Sequence, residues 1–247
     1  MNPDGITPDL IVPDWPAPAR VHALATTRAG GISAPPYDGF NLATHVGDDR
    51  HAVAENRRQL ERLLPAQPVW LSQVHGTRVL RAEQAGTLPE ADACVARSPG
   101  LVCAVQSADC LPVLLCDDAG TVVAAAHAGW RGLAAGVLER TVAAMAVAPT
   151  RLLAWFGPAI GPAAFEVGAE VREAFCAHDP AAAMAFAANS HGKWQCDLAA
   201  LARLRLAQVG VTRVFGGDSC TFADLRRFYS YRRDGATGRM ASLIWLA

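Results

Sequence analysis

The chain has 247 residues, and 51% of them are hydrophobic, which is enough to build a sizeable core. Its 22 lysines and arginines are balanced by 23 acidic residues. The resulting net charge of −1 gives no electrostatic reason to expect nucleic acid or an anionic membrane as a partner. The seven cysteines are scattered and odd in number, which is typical of reduced thiols and not of a disulfide framework.

The first residues lack the basic start and the apolar stretch of a signal peptide. No run of about 18 uncharged apolar residues occurs, so we expect no membrane-spanning segment. The expected location is therefore the cytoplasm, and the expected partners are small molecules; nothing in the sequence points to a protein partner.

Strand-like and helical segments alternate along most of the chain, which is typical of an α/β protein. Runs of branched and apolar residues predict strands, and apolar residues at helical spacing predict helices. The predicted strands are residues 21–27, 69–74, 91–96, 101–105, 112–116, 122–126, 152–156, 211–215 and 240–246. The predicted helices are residues 50–64, 132–146, 168–177 and 197–208, the last with Asp197 as its N-cap.

Several predicted strands are apolar throughout, so we expect both faces of their sheet to be buried. The links between strands 101–105, 112–116 and 122–126 are too short for crossover helices, so neighbours that pair must be antiparallel. The expected fold class is therefore α/β, with mixed sheets and antiparallel pairs between outer helices. Residues 19–247 are expected to form one catalytic domain, and the proline-rich residues 1–18 to be flexible.

Three potential metal ligands stand where predicted strands end. His75 and His127 each lie at or next to a glycine turn, and Cys110 follows a polar step after strand 101–105. If neighbouring strands bring these ends together, two imidazoles and a thiolate form the ligand set of a catalytic zinc, with a fourth position for water or substrate. The alternative is a buried cysteine and two structural histidines, and the spacing alone does not decide between them.

Two early loops carry further polar groups. Arg28 and the glycines that follow it form a turn whose backbone could approach an anion, although an ordinary glycine-rich turn has the same composition. His45, Asp48 and Asp49 share the next loop. They could orient a ligand, but capping the helix that begins near residue 50 is the more usual role of such a loop.

Two arginine-containing segments are also candidates. Arg131 follows His127 at a predicted helix start, where its guanidinium could clamp a phosphate or pair with a surface acid. Residues 226–235 contain four arginines and three aromatic residues. If this segment is extended, Tyr229 and Tyr231 share one face, which could stack a base or simply pack as a strand.

Short motifs of glycine, histidine, arginine and aromatic residues follow one another over nearly the whole chain. They are TTRAGGIS at 26–33, NLATHVGD at 41–48, QVHG at 73–76, ADCLP at 108–112, HAGWRG at 127–132, GPAIG at 157–161, FYSYRRDG at 228–235 and GRM at 238–240. This ordered set resembles the YfiH family, also called the laccase-domain or multicopper polyphenol oxidase family. Its members are described as purine nucleoside phosphorylases and, in some bacteria, as a peptidoglycan-editing factor.

The resemblance implies a zinc site formed by His75, Cys110 and His127, with copper as an alternative occupant. Ser107 stands where the family pattern has threonine, and both residues carry a hydroxyl group. The implied fold is a layered YfiH-like sandwich of mixed sheets between helices. The implied reactions are phosphorolysis of adenosine, inosine and S-methyl-5′-thioadenosine, together with deamination of adenosine.

Within this implied function, Arg28 and Arg131 would hold phosphate, and Tyr229 or Tyr231 would flank the purine base. Gln73, in the same motif as His75, is expected to contact substrate. The proton donor to the leaving base is not evident; Asp109, next to a ligand, is the candidate, and a carboxylate that orients a ligand histidine is the alternative role. We thus assign catalysis to Asp109 together with the three metal ligands.

Two other functions use the same residues. In a metal-free cysteine hydrolase, Cys110 would be the nucleophile, His127 or His75 the base, and a UDP-muramoyl amino acid of peptidoglycan synthesis the substrate. A copper-dependent polyphenol oxidase is the third reading. A multicopper oxidase needs a further cluster of histidines, usually in His-x-His pairs, and the seven histidines of this chain include no such pair.

Overall fold

Two stacked β-sheets form the centre of the protein in a computed structural model that describes residues 8–247. Thirteen strands are described in this part of the chain. In chain order they are β1 Leu10–Ile11, β2 Val21–Thr26, β3 Val79–Arg81, β4 Ala93–Ala96, β5 Cys103–Ser107, β6 Leu111–Asp117, β7 Val123–Ala128, β8 Leu152–Phe156, β9 Glu166–Val167, β10 Phe186–Ala188, β11 Trp194–Cys196, β12 Arg213–Gly216 and β13 Met240–Leu246.

The larger sheet has six strands in the order β12-β8-β6-β7-β4-β3, and the second has four in the order β1-β2-β13-β5. The four-stranded sheet is antiparallel throughout, whereas the six-stranded sheet has parallel pairs at both edges. Strands β6 and β7 pair in the antiparallel sense, as their short link requires. A third sheet, β10-β11-β9, is small and antiparallel.

The alternation of side chains along β6 shows why this sheet is buried on both faces. Val113 and Leu115 pack in a core shared with the outer helices, while Leu114 and Cys116 pack in a core shared with the four-stranded sheet. All seven residues of β6 are buried, which confirms the expectation from its apolar sequence.

Helices cover the outer faces of both sheets. Residues of α3, α4 and α5 pack on the six-stranded sheet, and Leu60 of α1 packs with Leu24 and Leu243 on the far side of the four-stranded sheet. The protein is thus a sandwich of helix, sheet, sheet and helix layers, which confirms the expected fold class. The helices are α1 Arg50–Glu61, α2 Trp130–Ala135, α3 Val137–Met145, α4 Ala169–Cys176, α5 Leu198–Gln208 and α6 Tyr231–Asp234.

Two predicted elements differ in the structure. The helix predicted over 132–146 is divided into α2 and α3 because Gly136 adopts a left-handed conformation with φ of 98°. The strand predicted over 69–74 is reduced to isolated bridges at Val69 and Ser72. Beyond Ser72, backbone N–H groups of Val74 and His75 bond to a side chain instead of a neighbouring strand.

Strands β5 and β6 follow one another closely but belong to different sheets. Strand β5 pairs with β13, and β6 pairs with β7 and β8, so the chain crosses between the sheets in residues 108–110. Asp109 makes this crossover with φ of 93°, a conformation that is rare for residues other than glycine. One of the three potential metal ligands, Cys110, therefore lies where the two sheets meet.

The N-terminal segment expected to be flexible lies partly outside the described residues, since the structure describes the chain from residue 8. Within it, Leu10 and Ile11 pair with β2, and the backbone N–H of Thr27 donates to the carbonyl of Asp9. The sheet therefore begins at Leu10, before the boundary expected at residue 18. From residue 8 onward, no helix has the length and apolarity needed to cross a bilayer.

Candidate metal centre and its cleft

The side chains of His75, Cys110 and His127 converge on one point. Their potential ligand atoms all lie within 4.8 Å of one another. The sulfur of Cys110 is 3.7 Å from Nε2 of His75, and the two imidazole centroids are 4.8 Å apart in an edge-on arrangement. The three side chains are therefore close together as expected, although His75 is carried by a loop and not by the end of a strand.

Three different parts of the fold position these residues. His127 lies on β7 opposite Pro112 of β6, so its main chain is fixed by the centre of the sheet. Cys110 is the last residue of the crossover before β6. His75 lies in the loop after Ser72 and has φ of 60°, which is unusual for this residue type.

A single buried carboxylate, that of Asp92, connects the two histidines. One of its oxygens lies 2.9 Å from Nδ1 of His127, and the carboxylate also accepts the backbone N–H groups of Val74, His75 and Gly76 at 3.2, 2.9 and 2.7 Å. Burial raises the pKa of this carboxyl, but the hydrogen bonds from His127 and Gly76 outweigh it and hold the pKa below its usual value. Asp92 is therefore ionised and fixes both ligand histidines.

The pKa of the Cys110 thiol is lowered by the histidines beside it. Burial raises this pKa, but the charge of His127 and hydrogen bonds from His127 and His75 outweigh burial and bring the pKa to about 6. For His127, burial lowers the pKa, while Cys110 and Asp92 raise it. Each of the two groups thus favours the charged form of the other, and a low thiol pKa also favours metal binding by the sulfur.

The donor set fits a zinc or copper ion. Nδ1 of His127 is occupied by Asp92, which leaves Nε2 as the ligand atom, and Nε2 of His75 faces the sulfur of Cys110. A carboxylate behind a ligand histidine is the usual support of such sites. Two imidazoles and one thiolate suit zinc, and copper also accepts them.

The three residues lie in the wall of a cavity of about 550 Å³, here called the metal cleft. Two of the residues that line it are arginines, and none is acidic, so the metal cleft favours an anionic ligand. Its lining residues are His45, Gln73, His75, Gln106, Ser107, Ala108, Cys110, His127, Arg131, Tyr231 and Arg239.

Three of the five expected substrate-binding residues line the metal cleft: Gln73, Arg131 and Tyr231. The amide of Gln73 is engaged on both sides, since Nε2 donates to the carbonyl of Gln106 at 2.8 Å and Oε1 accepts its N–H at 2.7 Å. Arg131 is exposed, and its guanidinium lies 4.5 Å from the Trp130 ring centroid. Gln73 therefore shapes the cleft wall, whereas Arg131 has donors for a ligand.

The structure does not bring Arg28 and Tyr229 to the metal cleft. Arg28 forms an ion pair with Asp38 at 2.8 Å and lies over the Tyr229 ring, with 4.8 Å to its centroid. Tyr229 is fully buried, with its hydroxyl 2.9 Å from the carbonyl of Tyr37. Both side chains thus have intramolecular partners in place of the expected phosphate and base.

The chain around Tyr229 is also not extended. Ser230 caps the short helix α6 by accepting the N–H of Arg233, so Tyr231 turns outward while Tyr229 points into the core. The exposed fraction of Tyr231 is 62%, against 0% for Tyr229. The expectation that the two tyrosines share one face is therefore wrong, because a helix cap interrupts the period of two.

Asp109 lies beside Cys110 but its carboxylate points away from the ligands. One oxygen accepts the hydroxyl of Thr221 at 2.6 Å, and the other accepts the backbone N–H of Arg232 at 2.6 Å. Asp109 thereby joins the sheet crossover to helix α6, which carries Tyr231. The carboxylate bonded to a histidine of the candidate site is that of Asp92, not that of Asp109.

Sequence reasoning missed three residues of the site. Asp92 gave no signal, because a single aspartate at the start of a predicted strand has no pattern that links it to distant histidines. His45 was recognised only as part of a capping loop, and the structure shows that Asp49 caps α1 while His45 lines the cleft. Arg239 occurred in the GRM motif but was given no role, and it lines the cleft, whereas Arg28 does not.

Comparison with known proteins agrees with this architecture. A family model described as multi-copper polyphenol oxidoreductase laccase matches residues 22–247. Purine nucleoside phosphorylase YfiH of Escherichia coli is 58% identical over 241 residues, which cover 96% of this chain and 98% of the relative. The chain belongs to the YfiH family.

Other members of the YfiH family are similar over the same length. Purine nucleoside phosphorylase PA4543 of Pseudomonas aeruginosa is 56% identical over 237 residues, covering 96% of this chain and 98% of that protein. The crystal structure of Neisseria meningitidis protein NMB0706 has a TM-score of 0.93 and 55% identity, covering 96% of this chain and 98% of that chain. YlmD from Geobacillus stearothermophilus has a TM-score of 0.87 and 31% identity, covering 92% of each chain. The expected family is thus confirmed.

The first prediction concerns the space between the ligands of this YfiH-family protein. A Cβ at Gly129 would lie 2.8 Å from Cδ2 of His75 and 2.9 Å from the sulfur of Cys110, so an alanine there must push the ligands apart. We expect Gly129→Ala to fold but to lose zinc affinity by about tenfold or more, as measured by metal competition and elemental analysis.

The matched control is Gly76→Ala in the same site. A Cβ at Gly76 meets its nearest atom, Oδ2 of Asp92, at 3.4 Å, which is an ordinary contact. This variant should keep its zinc. Equal zinc affinity in the Gly129 and Gly76 variants would contradict the assignment of these side chains as metal ligands.

The second prediction separates two roles of Asp109. Asparagine keeps an oxygen for the N–H of Arg232 and tolerates positive φ, whereas alanine does neither. If Asp109 positions helix α6, Asp109→Asn should keep turnover and melting temperature near wild type, and Asp109→Ala should lower both. An Asp109→Asn protein that melts normally but has no turnover would instead make Asp109 the proton donor.

Proposed function

We propose that this protein is a zinc-dependent purine nucleoside phosphorylase that also deaminates adenosine. The observation that carries the proposal is one cleft in which a His-Cys-His ligand group faces two arginines without any acidic lining residue. The relatives named purine nucleoside phosphorylase, at 56% and 58% identity, support it. The proposed substrates are phosphate with adenosine, inosine and S-methyl-5′-thioadenosine.

Phosphate would bind between Arg131 and Arg239. Both guanidinium groups line the metal cleft, and a guanidinium holds phosphate oxygens in a bidentate manner. Nη1 of Arg239 donates to the carbonyls of Thr237 and Gly238 at 2.8 and 2.9 Å, which fixes the direction of this side chain. Arg239 is therefore the phosphate-binding arginine of this proposal, a role that was expected of Arg28.

Phosphorolysis requires positioning, charge and one proton. A phosphate oxygen forms a bond to C1′ of the ribose as the C1′–N9 bond breaks, and that electron pair passes to the base, which takes up a proton. The arginines hold the attacking anion, and His45 and Tyr231 are protic side chains of the same cleft that could deliver the proton. A zinc ion held by the three ligands would supply a Lewis acid.

Deamination of adenosine would use water in the same cleft. Water adds to C6 of the base, and the amino group leaves as ammonia after it has gained a proton. This reaction needs no phosphate, so the two activities are separable in one assay. Release of inosine and ammonia without phosphate indicates deamination, whereas ribose 1-phosphate and free base indicate phosphorolysis.

A second candidate is the cysteine hydrolase that would act on a UDP-muramoyl amino acid. One observation favours it: Nδ1 of His127 lies 2.9 Å from the Asp92 carboxylate, and the ligand atoms of His127 and Cys110 lie within 4.8 Å of each other. A cysteine nucleophile, its base and the carboxylate that orients the base are arranged in the same order. The metal site and the cysteine nucleophile would therefore both use Cys110 and His127.

A copper-dependent oxidase function has less support. Among residues 8–247, which include all seven histidines, one group of potential metal ligands is found, and it contains two of them. A multicopper oxidase needs a further histidine cluster. A single copper ion in place of zinc is still compatible with the ligand set, and elemental analysis distinguishes the two metals.

We further propose that the protein acts on small molecules in the cytoplasm.

The third prediction tests the role of the Cys110 sulfur. If the thiolate binds zinc, chelation should abolish nucleoside cleavage, added zinc should restore it, and Cys110→Ser should lower zinc content and activity together. If it is a nucleophile, the chelated protein should still turn over substrate, and a thiol reagent should trap it. Turnover of adenosine, inosine and UDP-muramoyl-serine by one metal-analysed sample also identifies the preferred substrate class. Full activity without metal would contradict the zinc proposal.

The fourth prediction tests the phosphate site. Arg131→Ala removes a charged donor from the metal cleft, so the KM for phosphate should rise about tenfold or more, since a charged hydrogen bond contributes about 1.5–3 kcal/mol. Zinc content should not change. Arg140→Ala, on the exposed part of the nearby helix α3, is the matched control and should behave as wild type. Loss of folding or zinc in Arg131→Ala would make this arginine a structural residue.

A further inference from the structure

A second cavity, of about 140 Å³, opens beside the metal cleft. We propose that this apolar cavity is the binding site for the purine base, an inference that rests on the proposed function and specifies where its substrate lies. Its walls include Trp130, Ile160, Phe165, Leu198 and Tyr231. No role was assigned to four of these residues from the sequence.

The apolar cavity and the metal cleft are parts of one site. Both are lined by Ala108, Cys110 and Tyr231, so they meet at the sulfur of the candidate ligand and at the exposed tyrosine of α6. A ligand that spans the junction would have one part on each side of Cys110. The shared residues thus divide the site into a cationic half and an apolar half.

The chemistry of the walls decides which part of a nucleoside enters. Ile160, Phe165 and Leu198 are 4%, 8% and 2% exposed, so they form a water-poor surface that offers a sugar or phosphate no hydrogen bonds. The cavity is smaller than the roughly 300–1,000 Å³ that encloses a whole drug-sized ligand, so it holds one compact group. Aromatic walls favour a flat ring, and the base is the flat ring of the substrate.

Polar groups at the rim supply donors for the base. Arg232 lines the cavity, and its guanidinium lies 5.3 Å from the centroid of the Phe165 ring. Nη1 of Arg232 donates to the carbonyl of Glu166 at 2.8 Å, which uses one of five N–H groups and orients the side chain. Asp109 holds the backbone N–H of the same residue. The guanidinium is therefore a positioned donor for a ring nitrogen or carbonyl of the base.

With the base in the apolar cavity and phosphate between Arg131 and Arg239, the C1′ atom of the ribose falls at the junction beside Cys110. This placement puts the bond that breaks between the two halves of the site. The base is then separated from bulk water by aromatic walls, and the anion approaches from the cationic side.

The test measures binding of free hypoxanthine and free adenine to the zinc-loaded protein by calorimetry, beside the KM values for nucleoside and phosphate. Ile160→Trp should fill the cavity and weaken base binding about tenfold or more, while zinc content and phosphate KM stay unchanged. Leu198→Ala should enlarge the cavity and improve relative binding of an N6-alkylated adenine. Leu201→Ala makes the same truncation at a buried leucine of the same helix that lines neither cavity, so it is the matched control and should leave base binding unchanged.

These measurements separate the two proposals. If wild type binds free bases through this cavity but cleaves no nucleoside, the proposed function fails and the base site stands. If wild type cleaves nucleosides and neither Ile160→Trp nor Leu198→Ala alters base binding, the base site is wrong. If Ile160→Trp impairs S-methyl-5′-thioadenosine but not adenosine, the cavity holds the methylthio group, which also overturns the proposal. Should Ile160→Trp fail to fold, the comparison of Leu198→Ala with Leu201→Ala decides alone.

Discussion

The buried carboxylate of Asp92 is the interaction on which the candidate site depends. It accepts three consecutive backbone N–H groups from the His75 loop and lies against Nδ1 of His127, so it fixes a loop and a strand relative to each other. Without it, the N–H groups of residues 74–76 would lose their shared acceptor, and the contacts that hold His75 at φ of 60° would be lost. Its negative charge also raises the pKa of His127, and the charge of His127 in turn lowers the pKa of the Cys110 thiol.

The fold can be predicted from the sequence wherever the structure of a segment is determined by the residues of that segment. The apolar run of β6 requires burial on two faces, and the short link to β7 requires antiparallel pairing, so both features are readable in advance. The crossover at residues 108–110 cannot be predicted from the local sequence. The sheet that β5 joins is determined by its pairing with β13, which lies far away in the sequence. The helix break at Gly136 and the N-cap of α6 at Ser230 each depend on one residue. The periodic patterns that predict helices and strands do not reveal such single-residue effects.

In the candidate site, too, some residues can be recognised from the sequence and others cannot. The three potential metal ligands are recognisable because each is a reactive residue at the end of an apolar run in the sequence. Their supporting carboxylate is not, since Asp92 resembles any aspartate before a strand. Charge alone also did not distinguish the arginines: Arg28 is neutralised by Asp38 and stacked on Tyr229, whereas Arg239 lies in the metal cleft. Which arginine is available for a ligand depends on where the nearest acid lies, and that is a property of the folded chain.

The crossover that carries Cys110 explains why two unlike cavities meet at one sulfur. Asp109 at φ of 93° turns the chain from one sheet into the other, and its carboxylate binds Thr221 and the first turn of α6. Because α6 carries Tyr231 and Arg232, the same residue that bends the chain at the ligand also places the wall and the rim of the apolar cavity. Backbone strain of this kind persists only where surrounding contacts hold it, and here those contacts come from the site itself. The position of the sulfur and the shape of the cavity beside it are therefore coupled through one residue, so a change at Asp109 must act on both.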